Sequence, residues 1–173
     1  MRFPVSRAAA AACAALLLGA CSRTVADPPA HTFAIGEKIS AGHLVYTVFE
    51  TQWMTRLPNE PTPRIPQNRF FLVRMSVING GQNDVILPNL SIEDDNGNTY
   101  QELNNGDGVP QYAGYLRKVR PAEASHGTIV FDAPPRHYKL RVVDENGELP
   151  ALIDIPLTFT ADPTDLSIPG AKK

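Results

Sequence analysis

The sequence predicts an all-β sandwich of about seven to eight antiparallel strands, the number that the spacing of strands and turns gives. Three observations carry that prediction. Apolar residues alternate with a period of two along several segments, Asn-Gly pairs punctuate them, and no stretch of comparable length has the period of an amphipathic helix. The segment HLVYTVFETQW sets Leu44, Tyr46 and Val48 on one face and Val45, Thr47 and Phe49 on the other, in residues that favour a pleated surface.

The remaining elements follow in order. FAIGEKI reads as one strand before a turn at Ser40 to Gly42, and RFFLVRMSVIN as a strand with one face buried and the other partly wet. LSIED and NTYQEL flank Asp95-Asn96-Gly97-Asn98, where Asn-Gly suits a type I′ hairpin. HGTIVFDAP places Ile129 and Phe131 on one face, and Asn146-Gly147 joins YKLRVVD to ELPALIDIPLTF. The expected core contains Phe71, Val73, Met75, Val77, Ile129 and Phe131, with Trp53 partly buried at the end of its strand rather than central.

The N-terminus has targeting character. Arg2 and Arg7 precede 13 apolar or small residues, Ala8 to Ala20. That run falls short of the roughly 20 residues a membrane-spanning helix needs. The stretch Leu18-Gly19-Ala20-Cys21 resembles the bacterial lipoprotein signal, and the resemblance implies cleavage before Cys21 and lipid on its sulfur and new amino terminus. Two or three acyl chains, each buried methylene contributing roughly 0.8 kcal/mol, make a durable anchor. Ser22, in place of the aspartate that favours inner-membrane retention in that class, implies an outer-membrane lipoprotein facing the periplasm. The expected organisation is a signal peptide over 1–20, lipidated Cys21 and a flexible tether over 21–31, the sandwich over 32–159 and a C-terminal tail over 160–173.

Cysteine usage agrees, because Cys13 lies in the segment to be removed and leaves the mature domain without a disulfide. The 153 residues from Cys21 onward suffice for one apolar core. They carry 14 basic against 18 acidic residues without a basic run, which excludes the cationic footprint of a nucleic-acid binder.

A family resemblance rests on particular residues. Val77-Ile78-Asn79 ending a buried strand, then Asp95, Gly97 and Tyr100, then Pro121-Ala122-Glu123 leading into Gly127-Thr128-Ile129-Val130-Phe131-Asp132-Ala133-Pro134, resemble the bacterial domain of unknown function 4352. That family belongs to the immunoglobulin-like superfamily of secreted immunogenic proteins. The resemblance implies an immunoglobulin-like β-sandwich and export, but no agreed activity. Ala122 stands where the family usually has glycine.

No catalytic signature is present. The sequence lacks a serine elbow, a zinc-protease helix and a phosphate-binding glycine loop, and Glu93 and Asp94 point to opposite faces of a strand. Asp94 and Asn96 before Gly97 do not make a calcium loop, since Ile92 occupies the first ligand position. A copper or zinc site is the first alternative, with His126, His137 and Met75 as ligands brought together by the fold; an envelope hydrolase is the second.

The leading expectation is a non-enzymatic binding module without cofactor, held to the membrane through Cys21 and contacting an envelope protein or surface component. Two long connections are candidates for contact, since long loops are uncommon unless functional or disordered. Met54 to Gln67 carries four prolines, and Asn104 to Lys118 carries Tyr112 and Tyr115, residues that give contact area at small entropic cost. The partner surface is expected at Asn105, Asp107, Tyr112 and Tyr115. If every strand reverses direction, the proline-rich loop lies beside the tether and the tyrosine loop at the far end, on a separate surface.

Overall fold

The computed structural model describes residues 31–148 and 150–158. The expected signal peptide, Cys21, the expected tether except for His31, Phe159 and the expected C-terminal tail lie outside the described residues. The described chain holds β1 (Thr32–Phe33), β2 (Ile39–Ala41), β3 (Leu44–Met54), β4 (Arg69–Asn79), β5 (Val85–Leu87) and β6 (Ser91–Asp94). It continues with β7 (Thr99–Gln101), β8 (Arg117–Val119), β9 (Ala124–Ala133), β10 (Tyr138–Val142) and β11 (Ala151–Ile155).

These strands form a five-stranded sheet, β1-β11-β10-β6-β7, a four-stranded sheet, β2-β3-β4-β9, and a separate ribbon, β5-β8. The all-β sandwich is as expected. The strand count is higher, because β1, β2, β5, β7 and β8 are only two or three residues long. The β1–β11 pair is parallel, while the other pairs are antiparallel.

The core lies between the two larger sheets. Phe71, Val73, Met75 and Val77 of β4 and Ile129 and Phe131 of β9 meet Ile92, Tyr138, Leu140 and Ile153 of the opposite sheet, and all are buried. Trp53 departs from expectation. It is only 4% exposed and stacks on Phe71 at a centroid distance of 4.3 Å, with Tyr138 at 6.1 Å. The cause is a β-bulge between Val48 and Glu50, which leaves Phe49 as the extra residue. Before the bulge the even residues Leu44, Tyr46 and Val48 face the core; after it, parity inverts and Trp53 turns inward opposite Phe71. Phe49 is 50% exposed.

The two Asn-Gly turns share one geometry, and it is not type I′. Gly97 N–H donates to Asp94 C=O at 2.9 Å and Gly147 N–H to Asp144 C=O at 3.1 Å. Only the glycine of each pair has positive φ, +80° and +79°. Each is a type I turn closed by a left-handed glycine. The buried Asp94 carboxylate accepts from the backbone of Asn96 and Asn98, so the apparent calcium pattern is hairpin chemistry. Ala122 takes the left-handed conformation, φ +59°, in the tight turn where Glu123 N–H reaches Arg120 C=O at 3.0 Å.

Strand direction also corrects the expected placement of the loops. FAIGEKI is two strands, β1 and β2, broken by a turn at Gly36, φ +92°. That extra reversal flips the parity of everything after it. Thr32 pairs with Leu152, beside the Asn146-Gly147 hairpin, so the described chain begins at the end of the sandwich opposite the proline-rich loop, not beside that loop. At that same end, Tyr46 O–H donates to Val143 C=O at 2.8 Å, and His43 pairs with Glu145.

Candidate interaction surface

The outer face of the four-stranded sheet carries an apolar patch, Phe70 and Leu72 of β4 with Val130 of β9, and that patch needs a cover. Phe70, Leu72 and Val130 point outward from the four-stranded sheet, and Leu57 of the proline-rich loop and Val109 of the tyrosine loop close over them as a second buried cluster. The loops are therefore not separate surfaces. They fold along one face and touch: a Cβ on Gly108 would stand 2.0 Å from the Pro58 carbonyl oxygen, and Arg64 Nη1 donates to the Asn105 C=O at 2.7 Å. The Arg64 guanidinium also lies 5.0 Å from the Phe70 ring centroid. Asp132, the outward end of β9, accepts from the backbone N–H groups of Gln67 and Asn68 and closes the proline-rich loop.

The expected partner residues occupy this cover unequally. Asn105 and Asp107 are exposed, and the Asn105 side chain accepts from the Asp107 N–H at 2.8 Å in a local turn. Tyr112 is partly buried: its O–H donates to Leu103 C=O at 3.1 Å and its ring covers Gly106, where a Cβ would meet it at 2.0 Å. Burial is also the first cause raising its pKa. Tyr115 stands farther along the loop, where its hydroxyl accepts from Asn89 Nδ2.

The three residues considered for metal do not converge. Met75 faces the core, whereas His126, paired with Ser76, projects from β9 to the outside. His137 sits near the opposite end of the sandwich, its Nδ1 against Asp95 at 3.0 Å and its Nε2 against Asp154 at 2.8 Å. Those two carboxylates, Asp95 first, raise its pKa. The ring straps β10's start to the β6–β7 hairpin and to β11. Among the described residues, no three His, Cys, Asp or Glu side chains gather as a metal ion requires.

A buried ion pair holds the tyrosine loop at its two ends. Arg117 Nη1 and Nη2 donate to Glu102 at 2.5 and 2.9 Å, with both side chains almost wholly enclosed, and Glu102 also accepts from the Leu90 N–H. Arg117 Nε is buried without a partner, beside a narrow apolar crevice lined by Pro88, Ala113 and Ile129. Outside that crevice, Ile86 and Leu116 are 65% and 83% exposed. Sequence reasoning did not single them out, because two isolated aliphatics in short segments have no periodicity to follow. The cover over Phe70 and Leu72 was foreseeable, since apolar residues on both faces of one strand demand a partner on each.

None of the curated proteins matches the chain. Among solved structures, yjhA from Bacillus subtilis is 14% identical with a TM-score of 0.56, covering 71% of this chain and 98% of that one. MPT63, a secreted protein from Mycobacterium tuberculosis, is 18% identical with a TM-score of 0.51, covering 73% and 97%. The candidate lipoprotein ycdA from Bacillus subtilis is 11% identical with a TM-score of 0.51, covering 69% and 38%. These likenesses show the shared fold. The profile of the domain of unknown function DUF4352 matches residues 33–147, most of the sandwich, and the chain belongs to that family.

Proposed function

We propose that this protein is an exported, lipid-anchored and non-enzymatic interaction module of the bacterial envelope, which presents its loop-covered outer face to a protein or surface component. The observation that carries the reading is the joining of the two long loops. Leu57 and Val109 fasten them to one sheet, so Asn105, Asp107 and the exposed prolines Pro58, Pro61 and Pro63 form one continuous, preorganised surface. A preordered surface loses little entropy on binding, which is the advantage of a rigid paratope over a loose loop. The Leu18-Gly19-Ala20-Cys21 stretch supports the anchor, and MPT63 and ycdA, described as secreted and as a candidate lipoprotein, are consistent with export. Tyr112 contributes by holding the surface in shape, and Tyr115, Asn105 and Asp107 by contact.

The anchor is tested by replacing Cys21 with serine. Lipid labelling should vanish and the precursor should stall or leave the membrane fraction; unchanged processing and membrane retention would refute it. The contact face is tested by charge reversal with Asp107→Lys, which should abolish cross-linking to a partner in cells while leaving the melting temperature unchanged.

A further inference from the structure

We infer that the outward face of the β5–β8 ribbon is a membrane-contact surface, which seats Ile86 and Leu116 in the headgroup region of the bilayer; this rests on the lipid-anchored reading of Cys21. Both side chains stand on this ribbon: Ile86 lies opposite Lys118, and Leu116 directly precedes β8. On the inner side of the ribbon, Leu87, Arg117 and Val119 are buried, and Val119 C=O accepts from Asn79 Nδ2 at 3.0 Å. The ribbon cannot turn over to hide its aliphatics. Lys118, paired with Asp84 at 2.6 Å and 61% exposed, stands beside them with a long apolar stem and a terminal ammonium, suited to headgroup phosphate.

Position selects the membrane as the occupant. Asn79, which holds the ribbon, pairs with Leu44 at the sandwich end where His43 meets Glu145 and where Thr32 pairs with Leu152. The ribbon and the start of β1, which the tether precedes in the lipid-anchored reading, therefore share that end. Nine residues lie between Cys21 and His31, ten steps of chain and a reach of up to roughly 33 Å, whereas a five-stranded sheet is about 20 Å wide. The anchor can bring the ribbon to the surface from the far edge. Two aliphatic side chains fall well short of the roughly 800 Å² per partner of a stable protein interface. They suffice for a contact already made intramolecular by the lipid anchor. Ile65, equally exposed at 69%, lies in the proline-rich loop at the opposite end and serves as the internal control.

The mature chain's only thiol is Cys21, carrying lipid in this reading, so an introduced cysteine takes a label alone. Leu116→Cys, Ile86→Cys and Ile65→Cys variants of the lipidated protein are labelled with an environment-sensitive fluorophore and reconstituted into phosphatidylethanolamine–phosphatidylglycerol vesicles containing a shallow spin-labelled lipid. The expected result is quenching at 116 and 86 several-fold stronger than at 65. Equal quenching at all three overturns the contact face. Protection from aqueous iodide at 116 without lipid quenching also overturns it and assigns the ribbon to a second copy of the chain. Mass spectrometry of the N-terminal peptide separates the two failures: absence of lipid on Cys21 removes the anchor and the inference together, whereas lipid present with equal quenching removes the inference alone.

Discussion

Glu102→Ala should be the most destabilising single change in the tyrosine loop, for a reason specific to the charge it leaves behind. Arg117 is enclosed to within a few per cent, and Glu102 supplies acceptors at 2.5 and 2.9 Å while its second oxygen also takes the Leu90 N–H. Removing the carboxylate strands a buried guanidinium whose Nε is already without a partner and frees the Leu90 amide. Breaking a buried pair in this way costs about 3–5 kcal/mol. With a urea m-value of about 2 kcal/mol/M, the unfolding midpoint should fall by roughly 1.5–2.5 M. The double variant Glu102→Leu with Arg117→Met removes both charges at similar volume, and it should recover most of that loss. A cost below about 1 kcal/mol for Glu102→Ala, or a double variant as unstable as the sum of the single ones, would refute the argument from an uncompensated charge.

Other expectations follow from the same structure. Ala122→Gly should stabilise the fold by about 1 kcal/mol, because φ +59° is strained for any residue with a Cβ; chemical denaturation showing destabilisation would contradict it. The contribution of His137 should be fully present below the ordinary imidazole pKa and lost as pH rises through the raised value, since Asp95 and Asp154 favour its charged form. An NMR titration giving an ordinary or lowered pKa would refute that assignment. Trp53→Ala should cost about 3–5 kcal/mol by opening the stack on Phe71, and the native tryptophan emission should be blue-shifted. Gly108→Ala should part the two long loops, because its Cβ would meet the Pro58 carbonyl at 2.0 Å; unchanged protection of Leu57 from hydrogen exchange would count against the shared cover.

The legibility of this fold in its sequence has a physical pattern. Period-two alternation placed β3, β4 and β9 and the core faces of β4 and β9, because side-chain parity is a local property of a strand. Parity fails where one residue is inserted or one turn is missed. The bulge at Phe49 has no glycine or proline to announce it, and it alone decided that Trp53 is central. The break at Gly36 was hidden inside a segment that alternates acceptably as one strand, and it reversed the end at which β1 begins. The contact between the two loops depends on Leu57 and Val109, single apolar residues in polar surroundings whose meaning appears only with Phe70 and Leu72 beneath them. His126, His137 and Met75 could be weighed as ligands only by distance in the fold, which no single sequence contains.

Photo-cross-linking in living cells from position 107 tests the central claim most directly, with position 148 at the opposite end of the sandwich as the comparison. Asp107 and Glu148 are both exposed, so a difference between them reports the face and not accessibility. The loop-covered face as contact surface predicts a discrete protein or envelope adduct from position 107 and none from position 148. No adduct from either position, or the same adducts from both, would contradict it.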